Sequence, residues 1–313
     1  MVEIEDQLIK NIKIMNETVW EQRVQQPTVE SWLKNFEFLT EKHSDVKLYA
    51  LYLLSRFLYF GDREIREMLK SLYRDKYKYS LVHEIRKSMS DTKDLTMINN
   101  EFNKKLRATR FLGVGNPSES GCHLLYYFRQ ENEIASDLFI NAHEIFSRDD
   151  KGQVILGLED VERYVFIDDF CGSGRQAVEY SNKLINDLKK IKPDAHTSYY
   201  VMFSTESGMK KVKNRTSFDS VDCVYELDES FKCFGEKSRY FSELDTTFKL
   251  ELAKYICNVS GYQLCSSDPL GYGDCQLMIG FHHNTPDNTL PIFWSNGKPG
   301  FPWSPAFKRY DKN

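Results

Sequence analysis

Between Val165 and Ala177 the chain reads Val-Phe-Ile-Asp-Asp-Phe-Cys-Gly-Ser-Gly-Arg-Gln-Ala: an apolar run, two adjacent carboxylates, a turn of small residues and the start of a helix. Gly172 and Gly174 let the backbone curl so that successive amide groups converge. The helix start adds the positive end of its dipole, and Ser173 adds a hydroxyl. Such a turn suits a phosphate. Asp168 and Asp169 would repel that phosphate unless they faced something else, and ribose hydroxyls or a Mg²⁺ ion are their natural partners. A helix cap alone needs one acid nearer the first turn, not two. The fragment therefore asks for a sugar phosphate. No G-x-x-x-x-G-K-[ST] run occurs and the G-x-G-x-x-G spacing is absent, so neither a Walker loop nor a dinucleotide fingerprint explains it.

A strand must deliver the acid pair. Tyr164–Ile167 is a continuous apolar run of the kind buried on both faces of a parallel sheet. In such a sheet, ligands bind beyond the carboxyl ends of the strands, where this turn falls. Upstream, Phe111–Gly115 reads as a short strand entering a Gly/Pro/Ser loop at 115–121, then a helix with Leu124, Leu125, Tyr127 and Phe128. Downstream, Gly174–Ile191 is an amphipathic helix, 198–203 a strand, Gly208–Arg215 a short helix and 221–227 another strand. The alternation predicts an α/β fold with a Rossmann-like parallel sheet.

The residues before it differ. Gly61 is the only glycine ahead of Gly113. Helical spacing runs through Trp32–Leu39, Leu48–Leu58, Ile65–Leu72, Leu81–Met89 and Leu95–Leu106. The expected organisation is an all-helical N-terminal region, 1–109, followed by an α/β domain, 110–313.

Composition narrows the class. With 313 residues the chain is long enough for two domains, and 14% aromatics supply ample core. A net charge of −4 gives no general attraction to nucleic acid. Locally, Arg63, Arg66, Lys70, Arg74, Lys76 and Lys78 could form a nucleic-acid surface, although Glu64, Glu67 and Asp75 among them suit a solvated helix face. Seven scattered cysteines without a C-x-x-C pair suggest neither zinc nor a disulfide framework. The N-terminus lacks a signal-type apolar stretch, and Val46–Phe60 is too short and too charged to span a bilayer. The expectation is a cytoplasmic protein with no membrane partner.

Three other places carry candidate chemistry. Ser118-Glu119-Ser120-Gly121 is either an N-cap box or a backbone nest for pyrophosphate, with Arg129 on the following helix able to pair with the same group. His283-Asn284-Thr285-Pro286-Asp287-Asn288 is dense in turn-formers, and reads as a substrate loop or an ordered structural loop. His282 and His283 lack a third metal ligand at useful spacing. Cys171 stands beside a helix start with no base placed by sequence, so a passive turn residue is the expectation.

The acid-pair segment resembles the signature of the type I phosphoribosyltransferases, an apolar strand, two acids, a short spacer, then Thr/Ser-Gly and small or hydroxyl residues. Two further blocks narrow the resemblance. One is Leu112-Gly-Val-Gly-Asn-Pro-Ser-Glu-Ser-Gly-Cys122 leading into Leu124-Leu-Tyr-Tyr-Phe-Arg129. The other is Gly271-Tyr-Gly-Asp274 with Phe281-His-His-Asn-Thr-Pro-Asp-Asn-Thr-Leu-Pro-Ile-Phe-Trp294. Over about residues 110–305 these are similar to the phosphoribosyltransferase-like effector domain of bacterial anti-phage conflict systems.

The resemblance implies a type I phosphoribosyltransferase fold. It implies that Asp168 and Asp169 hold the ribose of phosphoribosyl pyrophosphate or a related nucleotide, and that Cys171, Gly172, Ser173, Gly174, Arg175 and Gln176 hold its phosphate. Mg²⁺ would enter mainly through the ligand, with no metal held by protein side chains. The implied reaction is transfer or hydrolysis at the ribose anomeric carbon, of the glycosyltransferase class. The implied partner is a protein from the same defence operon. Arg175 and Gln176 depart from the family's Gly/Ser and Thr, which leaves a non-catalytic nucleotide sensor as the alternative. Glu119 and Asp274 are acids available as a general base.

Overall fold

The computed structural model describes residues 2–115, 120–241 and 247–310, with the side chains of residues 2 and 120–123 outside that description. Helices α1 (Val2–Thr18), α2 (Gln26–Lys34), α3 (Glu37–Thr40) and α4 (Val46–Ser55) open the chain. Strand β1 (Leu58–Phe60) leads into α5 (Asp62–Ser71), which passes through a π-helical stretch, Leu72–Lys78, into α6 (Tyr79–Ser88) and then α7 (Leu95–Arg107). Next come β2 (Thr109–Gly113), α8 (Ser120–Glu131), the hairpin of β3 (Phe146–Arg148) and β4 (Val154–Leu156), and β5 (Arg163–Cys171). Helices α9 (Arg175–Tyr180) and α10 (Asn186–Ile191) flank a second π-helical stretch, Ser181–Ile185. Then follow β6 (His196–Thr205), α11 (Glu206–Arg215) and β7 (Ser220–Leu227). The chain closes with α12 (Leu250–Leu264), β8 (Ile279–Phe281), α13 (Pro291–Trp294), β9 (Gly297–Lys298) and β10 (Phe301–Pro302). Among the described residues no helix is long and apolar enough to cross a membrane.

The chain divides into two compact units, Met1–Ile65 with Leu227–Asn313, and Arg66–Glu226. The second unit holds the expected sheet, in the order β2-β5-β6-β7. β2 and β6 flank β5 and both run parallel to it, with Phe111 opposite Val165 and Asp168 opposite Val201. Tyr164, Val165, Phe166 and Ile167 are all buried, as a strand covered on both faces requires. On one face Tyr164, Phe166, Tyr199 and Val201 share a core with Ala177, Ile185, Leu188, Met209 and Val212 from the helical segments 175–191 and 206–215. On the other, Phe111 meets Phe128 of α8 at 5.5 Å and Tyr77 of the first π-helical stretch at 5.1 Å between ring centroids.

The first unit is held by aromatic contacts between its two chain segments. Trp32 stacks on Phe293 at 5.7 Å, Tyr52 on Phe248 at 4.0 Å and Phe57 on Phe307 at 4.0 Å. The indole N–H groups of Trp32 and Trp303 both donate to Ile292 O, at 2.7 and 2.9 Å.

Two expectations change in detail. The division falls at 65/66 and 226/227, not at 109/110, because burial follows partners distant in sequence: the first helices pack with the C-terminal segment, and the helical segment 72–107 packs with the sheet. The N-terminal region is also not wholly helical. The helix expected to reach Leu58 ends at Ser55, and β1 pairs in parallel with β8, Leu58 opposite Ile279. That partner strand lies near the other end of the chain, beyond the reach of any local pattern.

Candidate functional site

Strand β5 carries its acid pair to its own carboxyl end. Asp168 lies on the face of Tyr164 and Phe166 and is only 6% exposed. Both of its oxygens are engaged: Oδ1 accepts the Asp169 N–H at 2.9 Å, and Oδ2 accepts the Tyr199 hydroxyl at 2.7 Å. Burial pushes the Asp168 carboxyl well above the usual carboxylate range. The neighbouring Asp169 charge pushes the same way, and the Tyr199 hydroxyl opposes both. Asp169 is half-buried, and its Oδ1 accepts the Phe170 N–H at 2.9 Å.

The turn follows at once. Gly172 and Gly174 are buried and Ser173 is half-buried. Gly174 has φ 68°, a left-handed conformation in which a Cβ would also meet Gly208 O at 2.8 Å, so glycine is required there. β6 and α11 fasten the turn from behind. The Thr205 hydroxyl donates to Gly172 O at 2.6 Å and accepts the Gly208 N–H at 2.9 Å, which also caps α11. The Ser204 hydroxyl donates to Cys171 O at 3.1 Å. A Cβ on Gly208 would lie 2.9 Å from Cys171 O and closer still to Gly172 O, so the two backbones touch. Tyr199, Ser204, Thr205 and Gly208 are absent from the candidate site residues read from sequence. The signal available was the hydroxyl pair Ser204-Thr205 closing an apolar strand, with a glycine three residues on.

The other turn residues take definite places. The Cys171 thiol is buried and pushed up to about 11, chiefly by desolvation, so it is no nucleophile at neutral pH. Arg175 and Gln176 are exposed on the first turn of α9. Arg175 Nε donates to Glu179 Oε1 at 2.7 Å, a surface pair that costs little to break.

Ser118 and Glu119 lie outside the described residues, as does the Ser120 side chain, and Gly121 stands in the first turn of α8. Arg129 is half-buried on α8 with its guanidinium 5.9 Å from the Tyr126 ring centroid. The 283–288 block belongs to the other compact unit from the acid pair. There, Asn284 Oδ1 accepts the N–H groups of Thr285 and Tyr310, Asp287 pairs with Arg309 at 3.2 Å, and buried Asn288 donates to Tyr272 O at 2.9 Å. His283 stacks on Phe281 at 5.5 Å, and His282 Nδ1 meets Glu21 Oε2 at 2.8 Å. These bonds describe an ordered loop. Asp274 pairs with Lys232 at 3.0 Å. Among the described residues no three His, Cys, Asp or Glu side chains converge as a metal site.

Four residues of the basic run have acidic partners. Arg66 and Lys70 pair with Glu131, Arg74 with Asp75 and Lys76 with Asp222, at 2.6 to 3.3 Å. Such pairing lowers the pull this surface has on a phosphate backbone.

A family model described as PRTase-CE matches residues 29–309. Matching solved structures include the xanthine-guanine-hypoxanthine phosphoribosyltransferase of Helicobacter pylori, at 8% identity and a TM-score of 0.27, covering 55% of this chain and 89% of that one. Another is the orotate phosphoribosyltransferase from Aeropyrum pernix, at 11% identity and a TM-score of 0.26, covering 52% and 76%. No curated protein gives a significant match.

Proposed function

The chain belongs to the PRTase-CE family of phosphoribosyltransferase-like effectors, and from that premise we propose that it binds phosphoribosyl pyrophosphate or a related nucleotide at the carboxyl end of β5. There it transfers or hydrolyses at the ribose anomeric carbon, as the effector of a bacterial anti-phage defence system with a protein partner from the same operon. One observation carries the reading. The acid pair and the glycine turn stand together at the end of a buried parallel strand, and Ser204 and Thr205 hold the turn in place.

Displacement at an anomeric carbon passes through an oxocarbenium-like centre, so most of the catalysis is positioning and charge placement. The acid pair marks the ribose end of the site, with the Asp169 carboxyl close to the developing positive charge. Residues 172–176 anchor the phosphate. The acids also decide how a Mg²⁺ ion fits. Burial opposes charge on Asp168, so within the pair the half-buried Asp169 would be the more accessible contact for a Mg²⁺ ion brought by the ligand. When bound, that ion offsets the charge of the departing pyrophosphate.

A second reading is a sensor that binds without turnover and signals to a partner. It is favoured by Arg175 and Gln176, exposed where the wider family has small and hydroxyl residues. The test is calorimetric titration with phosphoribosyl pyrophosphate and Mg²⁺, with released pyrophosphate assayed in the same samples and Asp169→Asn as control. Binding with release, both lost in the variant, supports the enzyme. Binding without release, in the presence of candidate acceptors, supports the sensor. Absence of binding refutes both.

A further inference from the structure

The two acids of the pair do not occupy equivalent positions. Val201 lies opposite Asp168 across the parallel ladder, so Tyr199, two residues earlier on β6, presents its ring to the same sheet face as Asp168. Tyr199 is fully buried among Phe166, Ala177 and Phe218, with the Phe218 ring 5.5 Å away. Its hydroxyl therefore has no route to follow Asp168 outward.

We propose that Tyr199 is a positioning residue that holds Asp168 inside the sheet core, so that Asp169 alone of the pair serves the ribose hydroxyls. This rests on the phosphoribosyl reading above and divides the roles within it. Turning Asp168 toward a ligand would strand the Tyr199 hydroxyl and the Asp169 N–H, both of which it now accepts. The direction of the Asp168 titration agrees, since burial raises the cost of charge on this carboxyl and so weakens it as a partner for a developing cation. Tyr199 and Asp168 together hold the strand end rigid beneath Asp169, and Cys171 adjoins the same hydroxyl.

Five variants test this: Asp169→Asn, Asp168→Asn, Tyr199→Phe, Asp168→Ala and the Asp168→Ala/Tyr199→Phe pair. Affinity for Mg²⁺–phosphoribosyl pyrophosphate is measured by calorimetry, and stability of the ligand-free proteins by urea unfolding. Asp169→Asn is expected to weaken binding at least tenfold more than Asp168→Asn does. Tyr199→Phe is expected to weaken it about tenfold in the wild-type background and not at all in the Asp168→Ala background. A Tyr199 that served only the core would show its loss in both. In urea, the double variant is expected to unfold close to the weaker single variant. Equal losses for the two Asn variants, a Tyr199→Phe effect undiminished in the Asp168→Ala background, or additive unfolding shifts would each overturn the proposal. If the wild-type protein does not bind the ligand, the phosphoribosyl reading fails by itself, and the unfolding cycle still decides whether Tyr199 and Asp168 act together.

Discussion

Gly208→Ala is the sharpest probe of how the phosphate turn is held, because two effects of known sign compete there. Gly208 stands in the first turn of α11 with no left-handed backbone angle, so an alanine meets no conformational penalty. Helix propensity alone predicts a gain of up to about 1 kcal/mol. Against that, the new Cβ would lie 2.9 Å from Cys171 O, 3.0 Å from Thr205 Oγ1 and closer still to Gly172 O. Those carbonyls cannot retreat freely, since the Ser204 and Thr205 hydroxyls hold them. Overpacking of this kind costs about 1–3 kcal/mol, and each hydrogen bond lost adds about 1 kcal/mol. The net expectation is a destabilisation of about 1–3 kcal/mol, together with loss of phosphoribosyl pyrophosphate binding. Urea unfolding followed by circular dichroism measures the first, with exposed Lys210→Ala on the same helix as a control expected within about 0.5 kcal/mol of wild type. An alanine variant as stable as wild type that still binds ligand would refute the idea that backbone contact between α11 and the turn sets the site.

Three other outcomes follow from the same geometry. Thr205→Val keeps the side-chain shape but leaves Gly172 O and the Gly208 N–H without their hydroxyl partner, so unfolding should show a loss of about 1–3 kcal/mol. Asp168→Asn changes the pH dependence of stability. The folded carboxyl titrates above its unfolded value of about 3.9, so wild-type stability falls as pH rises from there through the folded pKa. The variant lacks this loss, so its unfolding midpoint relative to wild type should rise as the pH is raised above about 4; a difference that stays flat would refute the raised Asp168 titration. Iodoacetamide at about pH 8 should label Cys265 well before buried Cys171, whose thiol is pushed up to about 11, and mass spectrometry finding Cys171 alkylated first in native protein would contradict its burial.

The strand–acid–turn–helix unit was legible in the sequence because each of its parts is local. Apolar continuity from Tyr164 to Ile167 marks a strand buried on both faces, and glycines at 172 and 174 mark a tight turn before a helix. The alternation of strands and helices from Phe111 to Leu227 likewise announced the parallel sheet, since both periods are written within each segment. What the sequence could not convey was which distant residues meet. Whether Asp168 faces a ligand or a tyrosine depends on the register of β6 against β5, and a hydrogen bond from Tyr199 leaves no trace in the spacing of either strand. The same holds for Thr205 and Gly208 behind the turn, for the pairing of Leu58–Phe60 with Ile279–Phe281, and for the unit boundary at 65/66. The His283–Asn288 block announced a loop, and only the tertiary contacts to Tyr310, Arg309 and Tyr272 showed what Asn284, Asp287 and Asn288 hold. Periodicity records how a segment divides between core and solvent, whereas the burial of one carboxylate and the rigidity of one turn are set by neighbours that the chain supplies from elsewhere.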